Sequence, residues 1–584
     1  VACGGGASSS AAGGSSFDGT YTGEGQGHGG KIVLDLTITG GKITDITVKE
    51  NSETAGIADA MDVMGEQMIL GNTLDVDTVA GATFTSNGFL EAVNDAFAKS
   101  GASKEDFVAG DGQATAEKRE SEYTTDVIVI GAGGAGMTAA IEAADGGADV
   151  MLIEKMPTPG GNTLLSGAEM AAPGNWLQEE QGIEDSADLM YNDTLKGGDN
   201  ENDPELVRVL ADNALAGAEW LRDDIHVIFE DYMLFFGGHS VERSLVPLNA
   251  SGVELVGKLK AAVEERNVPI HLNTQAKTLI QDETGRVIGV KADYNGQEIT
   301  YYATKAVIMA TGGFGANLEM RKEYNPDMDE KILSTNSVGS TGDGIVMAEE
   351  LNAQIVDMPY IQTYPTCDTE TGTLLYVGDV RMEGLAILVN KEGNRFVEEL
   401  ERRDVISKAV TEQTGGVSYL FWDEAAMEAS KVNVKHKDEY ENLIARKMLV
   451  KVDTIEDAAE FFGIDAKTLA ETVARYNTFA QDGKDLDFNK RGTLVPFTDG
   501  PYYIMVSKPA VHHTMGGIKI NTSAQVVDND GQVIPGFYAA GEVTGDIHGT
   551  NRLGSNAIAD ITVFGRIAGT NAAKEEAVAV GTKQ

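Results

Sequence analysis

Three glycines, Gly131, Gly133 and Gly136, directly follow four consecutive apolar residues in TTDVIVIGAGGAGMTAA. Glycine in such a turn permits a tight bend, close approach of backbone to a pyrophosphate and close helix packing, while the N-terminus of the next helix faces the anion. Glu154 closes the following apolar run (VMLIE), where a carboxylate can accept hydrogen bonds from an adenosine ribose. A lone glycine motif is weak evidence. Strand, glycines, helix, strand and acid in this order specify a dinucleotide site.

The elements that position these residues form a βαβ unit in a parallel sheet. Further glycine turns follow: PGGNT at 159–163, ATGGFG at 310–315 after the apolar strand KAVIMA, and GFYAAGEVTG at 536–545. Strand-to-glycine turns spread so widely fit a long, extended cofactor such as FAD. Apolar and polar residues alternate from Phe17 onward with Gly-Lys punctuation, which predicts antiparallel strands, and helical periodicity follows over 54–70 and 87–99. Residues 109–122 read as a polar linker.

At 584 residues the chain is too long for one core. With 45 basic against 91 acidic residues the formal charge is -46, which repels phosphate backbones and argues against nucleic acid as a partner. No run of 18 apolar residues supplies a membrane span. Two cysteines, Cys3 and Cys367, make neither a four-cysteine metal site nor a c-type haem motif. Cys3 sits among small residues before a Gly/Ser/Ala tract, like the end of a bacterial lipoprotein signal. That reading makes Cys3 a lipidated residue, 1–16 a flexible tether, and the protein extracytoplasmic at the cell surface, touching the membrane only through the lipid.

DVIVIGAGGAGMTAAIEA, EKMPTPGGNT, HHTMGGI and GEVTGDIHGTNRLGSNA resemble the FAD-dependent fumarate reductase and succinate dehydrogenase flavoproteins over about residues 123–578. The resemblance implies an α/β fold: a Rossmann-like FAD-binding domain (123–359 and 507–584) with an inserted α+β cap domain (360–506) that closes on the substrate. It implies non-covalent FAD held by Gly131, Gly133, Ala135, Gly136, Glu154, Lys155, Gly161, Asn162, Thr163, Gly312, Gly313, Asp343, Glu542, Ser555, Ala557 and Ile558. Residues 17–108 resemble a small α+β FMN-binding domain. Its attachment motif is matched by DTVAGATFT, which implies covalent FMN on Thr83 with Asp77 and Gly81 as companions; Ala80 departs from the usual hydroxyl residue.

Reducing an activated alkene requires hydride from a flavin, a proton donor, and groups that hold and polarise a carboxylate. Family positions imply His512 and Arg552 as the carboxylate clamp and Arg403 as proton donor. Arg402 beside it reads as a solvated helix face. The fumarate reductases' QAHPT-like segment is QTYPT here, placing Tyr364 where they have His. Their T-E-A-V-R segment is VGDVR, with Gly378 in place of Glu, Asp379 one position later, and Arg381 kept as a relay partner. A carboxylate facing Asp379 is repelled, whereas a cationic or NH-bearing ring is favoured. Tyr364 with Asp379 is similar to the urocanate reductases of this family, which implies reduction of urocanate to imidazole propionate. Other enoates stay open, an aryl acrylate such as cinnamate first and fumarate behind it. Outside this class, a flavin electron-transfer module without a substrate, an oxidase and a steroid dehydrogenase stay open too. With no haem motif, electrons are expected to enter through FMN from an external quinol-linked or flavin-carrying donor.

Overall fold

In the computed structural model the chain is described at residues 17–27, 31–51, 61, 64–65, 68–69, 72–74, 76, 83–103, 119–498 and 500–581. Cys3, the tether, Asp77, Ala80, Gly81 and most of the linker lie outside these residues. The chain divides into two compact units, 1–119 and 120–584. No described helix is long and apolar enough to cross a membrane.

In the first unit, strands β1 (Gly19–Gln26), β2 (Lys31–Thr39) and β3 (Lys42–Glu50) form an antiparallel sheet. The period-2 pattern of β2 buries Ile32, Leu34, Leu36 and Ile38 on one face. Helix α1 (Thr83–Ser100) begins earlier than its periodicity suggests and contributes Phe89, Ala92, Val93 and Ala96 to the same core. Glycine lets the two layers touch, since a Cβ on Gly25 would lie 2.0 Å from the Gly88 carbonyl oxygen. Thr83 is the first residue of α1.

The second unit opens with the expected βαβ: β4 (Glu122–Ile130), α2 (Gly134–Asp145) and β5 (Val150–Ile153), with β6 (Ile270–His271) parallel beyond β5. A meander, β7 (Thr274–Gln281), β8 (Val287–Tyr294) and β9 (Gln297–Met309), completes the row β7-β8-β9-β4-β5-β6. The first half of β9 pairs antiparallel with β8. Its last residues pair parallel with the C-terminal strand at 533–539. One strand thereby joins the meander to the nucleotide-binding sheet.

Further along come β10 (Ile361–Cys367), α3 (Arg403–Thr411), β11 (Ser418–Asp423), β12 (Leu449–Val452) and the long β13 (Tyr502–Thr514). The first half of β13 pairs with β11 and β12, and its second half pairs with β10. The 506/507 boundary read from the sequence therefore falls inside a continuous strand, not in a linker. A core including Leu388, Ile406, Leu420, Trp422 and Ile504 fills the inserted region. The C-terminal helix α4 (Asn556–Lys574) buries Ala559, Phe564 and Ala568 in the core of this unit.

Candidate active site

A cleft of about 870 Å³ opens at the C-terminal ends of β4, β5 and β9, where ligands bind in open parallel sheets. Gly131, Gly133, Ala135, Glu154, Lys155, Gly161, Asn162, Thr163, Gly312, Asp343 and Glu542 line it. The glycines divide into two kinds. Gly131 has a φ of 103°, and a Cβ on Gly136 would sit 1.8 Å from the Gly131 carbonyl oxygen, so this pair shapes the turn. A Cβ on Gly133, Gly161 or Gly312 would meet no described atom nearer than 3.9 Å. Those three present bare backbone to the cleft, the cradle a pyrophosphate requires.

Glu154 accepts the Ala132 and Met156 N–H groups, each at 2.8 Å, which fixes its carboxylate at the cleft wall. Lys155 Nζ donates to Asp343 at 2.9 Å and to Thr341 at 2.6 Å. Burial raises the Asp343 pKa, but bonds from Thr341, Gln275 and Lys155 outweigh it and hold the acid below its usual range. Gly136 and Gly313 do not line the cleft; a Cβ on Gly313 would lie 2.0 Å from Thr514 Oγ1. Ser555, Ala557 and Ile558 line a second cleft instead. Glycine cradle and an acid fixed at the cleft wall fit FAD.

The second cleft, about 900 Å³, shares Asn162, Thr163, Glu542 and Ile561 with the first, so the two are continuous. Tyr364, Asp379, Arg403, His512 and Arg552, separated widely in sequence, all line it. Arg403 is the first residue of α3, and its guanidinium lies 4.9 Å from the Tyr364 ring centroid and 5.2 Å from that of Phe236. Among the described residues, Arg403 Nε and Nη1 and Arg552 Nε are buried without a hydrogen-bond partner. Unpaired buried donors are costly unless a ligand takes them up. Two such guanidinium groups in one cleft call for an anion, and their fork matches a carboxylate.

His512 Nδ1 lies 2.9 Å from Thr335 Oγ1, and its ring is 5.3 Å from that of Tyr364. Burial and then the charges of Arg403 and Arg552 hold its pKa well below the usual value, so it is neutral. Burial, then Arg403, lowers the Arg552 pKa too. Arg381 does not line the cleft. It is buried behind it, donating to the Glu399 carbonyl at 2.6 Å.

The sequence reading did not pick out Glu169, Phe236 or Tyr376, which share this cleft. Burial pushes the Glu169 pKa up, against Arg403 and Arg552. Asp379 is driven well above the carboxylate range by burial and then by neighbouring Glu169. Two carboxyl groups in one cleft that resist joint ionisation form a site for a cation or paired N–H donors. The Tyr376 hydroxyl donates to the Leu165 carbonyl at 2.5 Å. Its backbone and that of Val377 donate to Glu439 at 3.1 and 2.8 Å, so helix Lys437–Ala445 holds the segment leading to Asp379. Arg402, read as a solvated residue, instead pairs through both terminal nitrogens with Asp199.

Cradle, clamp and acid pair define a flavoprotein oxidoreductase, and the comparisons agree. The FAD binding domain family matches residues 126–558 and the FMN-binding domain family matches 27–98, and the chain belongs to the former. It is a flavin-dependent enzyme carrying an FAD-binding and an FMN-binding domain. It is 48% identical over 574 residues to the urocanate reductase of Eggerthella lenta, covering 97% of this chain and 95% of that protein. It is 43% identical over 458 residues to a fumarate reductase (cytochrome) of Shewanella frigidimarina, covering 77% of each. The open conformation of a flavocytochrome c3 fumarate reductase superposes with a TM-score of 0.65 at 39% identity, over 77% of this chain and 78% of that one. A 3-ketosteroid dehydrogenase from Rhodococcus jostii RHA1 reaches 0.62 at 25% identity, over 79% and 99%. The fold is thus shared by enzymes with different substrates, and the side chains of the second cleft must decide between them.

Proposed function

We propose that the protein reduces urocanate to imidazole propionate. The carrying observation is that one cleft holds both an anion clamp (Arg403, Arg552, His512) and two carboxyl groups that raise one another's ionisation cost (Asp379, Glu169), with Tyr364 in the same lining. Urocanate carries a carboxylate for the first and an imidazole for the second. Fumarate brings a second carboxylate to the acid pair and is repelled; cinnamate gains nothing from it. The 48% identity to a urocanate reductase supports the same reading.

Arg552 and neutral His512 bind the carboxylate; for His512 to donate from Nε2, its Nδ1 must accept from the Thr335 hydroxyl 2.9 Å away. The Arg552 charge and the His512 N–H stabilise the charge that develops on the carboxylate as the double bond is attacked. Asp379 and Glu169 accept the two N–H groups of the ring in its imidazolium form, and Tyr364 packs on the ring. Gly133, Gly161, Gly312 and Glu154 would hold FAD, whose chemistry when bound would be hydride supply to one alkene carbon. Arg403 delivers a proton to the other, and water restores that proton afterwards. FMN on Thr83 is the entry point for electrons from an external quinol-linked or flavin-carrying donor. Lipidation of Cys3 would place the enzyme outside the cytoplasmic membrane.

Anaerobic assay of the flavin-loaded protein with reduced viologen and a panel of urocanate, cinnamate and fumarate tests the proposal. Urocanate is expected to give the highest kcat/KM; a preference for fumarate or cinnamate would overturn the assignment.

A further inference from the structure

The two arginines of the clamp stand on separate parts of the fold, Arg403 at the start of α3 and Arg552 in the loop before α4. Their spacing must be set by something. One tie is visible in the cleft wall: Gln362 Nε2 donates to the Arg552 carbonyl and to Asn551 Oδ1, each at 2.7 Å, and Ser407 of α3 donates to the Thr363 carbonyl at 3.1 Å. Strand β10 thereby joins the Arg552 loop to α3.

A second tie closes the ring from the other side. Arg402, immediately before α3, donates through Nη1 to Asp199 Oδ1 at 2.8 Å and through Nη2 to Oδ2 at 3.2 Å. Asp404 holds the same guanidinium from the helix side, at 3.1 Å from Nε and 2.8 Å from Nη2. Asp199 also accepts Thr550 Oγ1 at 2.5 Å, and the Thr550 N–H reaches the Gly198 carbonyl at 3.2 Å. Asp199 and Asn200 both adopt left-handed backbone, with φ of 57° and 60°. Successive non-glycine residues in that region are uncommon and persist where the surroundings hold them. Here the turn aims the Asp199 carboxylate between Arg402 and Thr550.

We infer that Arg402, Asp199 and Thr550 are positioning residues that set the separation of Arg403 and Arg552. This rests on the clamp reading above. Side-chain exposures of 19% for Arg402 and 51% for Asp199 put the bridge at the rim, where an ion pair adds little to global stability. Its effect should therefore appear in turnover rather than in the melting temperature.

The test uses the full flavin-loaded chain, whichever enoate the wild type reduces, and the variants Asp199→Asn, Arg402→Gln and their double. Asn keeps the shape and tolerates left-handed backbone, so folding is preserved. Each single variant is expected to lower kcat about tenfold with KM changed less than about twofold and Tm within about 2 °C, and the double to be no worse than either single. Singles within twofold of wild type, or a double equal to the product of the singles, would overturn the inference. Hydrogen exchange supplies a readout independent of substrate: Asp199→Asn should speed exchange in 403–411 and 546–553. If the wild type reduces no enoate, the clamp reading falls, and unchanged exchange in the variant sinks the bridge on its own.

Discussion

Arg403 holds its guanidinium carbon over the Tyr364 ring, 4.9 Å from the centroid, a contact that leaves its Nε and Nη1 donors unoccupied. A planar cation held by its face keeps its edge for the substrate, which lysine cannot imitate. Replacing Arg403 with Lys is expected to lower kcat by about 10²–10⁴, the usual range for losing a positioned general acid, with the flavin spectrum unchanged. Stopped-flow reoxidation of the reduced enzyme by substrate measures it.

Asp379→Ala and Glu169→Ala should each reduce urocanate kcat/KM by about 10–100-fold, because a polar ring atom then loses its partner. Cinnamate turnover should stay within about threefold of wild type. Steady-state assays on both substrates decide, and equal losses would show that these acids serve folding instead.

The two kinds of glycine should separate experimentally. Gly136→Ala drives a Cβ into the Gly131 carbonyl and should cost the apoprotein about 1–3 kcal/mol, the range for overpacking. Gly133→Ala meets nothing in the protein, so apoprotein Tm should hold while FAD titration shows weakened binding.

Thr83→Ala should leave a protein whose FAD stays bound but which shows no flavin after denaturation. Intact mass should fall by one FMN moiety in the variant. A flavin-sized adduct surviving the substitution would move the attachment elsewhere.

Glu439 is a titration marker for the segment before Asp379. Burial lifts its pKa to about 7, against the pull of the Val377 and Tyr376 N–H groups. The folded form thus keeps a proton that the unfolded chain releases near pH 4.5, so this contribution to stability is lost as pH rises from about 4.5 through about 7. Glu439→Gln should flatten the Tm-versus-pH curve across that window by the equivalent of about 3 kcal/mol at most.

The sequence carried the nucleotide cleft well because its signals are local: β4, the glycine turn, α2 and Glu154 lie within one short stretch. Tyr364, Asp379, Arg403, His512 and Arg552 were legible through family motifs, and the structure brings all five to one cleft. Glu169 was not legible, since nothing near GAEM indicates that its side chain lines the same cleft as Asp379 from another part of the chain. Arg402 was misread for a related reason. Its neighbours in sequence are charged, and its partner Asp199 stands in a turn far upstream. Arg381 lies behind the cleft, where its charge acts on Arg403 and Tyr364, and Gly136 and Gly313 serve packing although their motifs suggest cofactor contact.

Strand β13 has a practical consequence for anyone exchanging substrate specificity between such reductases. Cutting at 506/507 to transplant the inserted region would sever a ladder in the middle, between the pairs Tyr419↔Val506 and Ser418↔Ser507. A workable chimera has to carry the whole strand with β10, β11 and β12, and place its junctions beyond Thr514. That moves His512 along with Tyr364, Asp379 and Arg403, while Arg552 and Glu169 stay with the recipient, so the transplanted module carries the proton donor but only half of the ring-recognising acids.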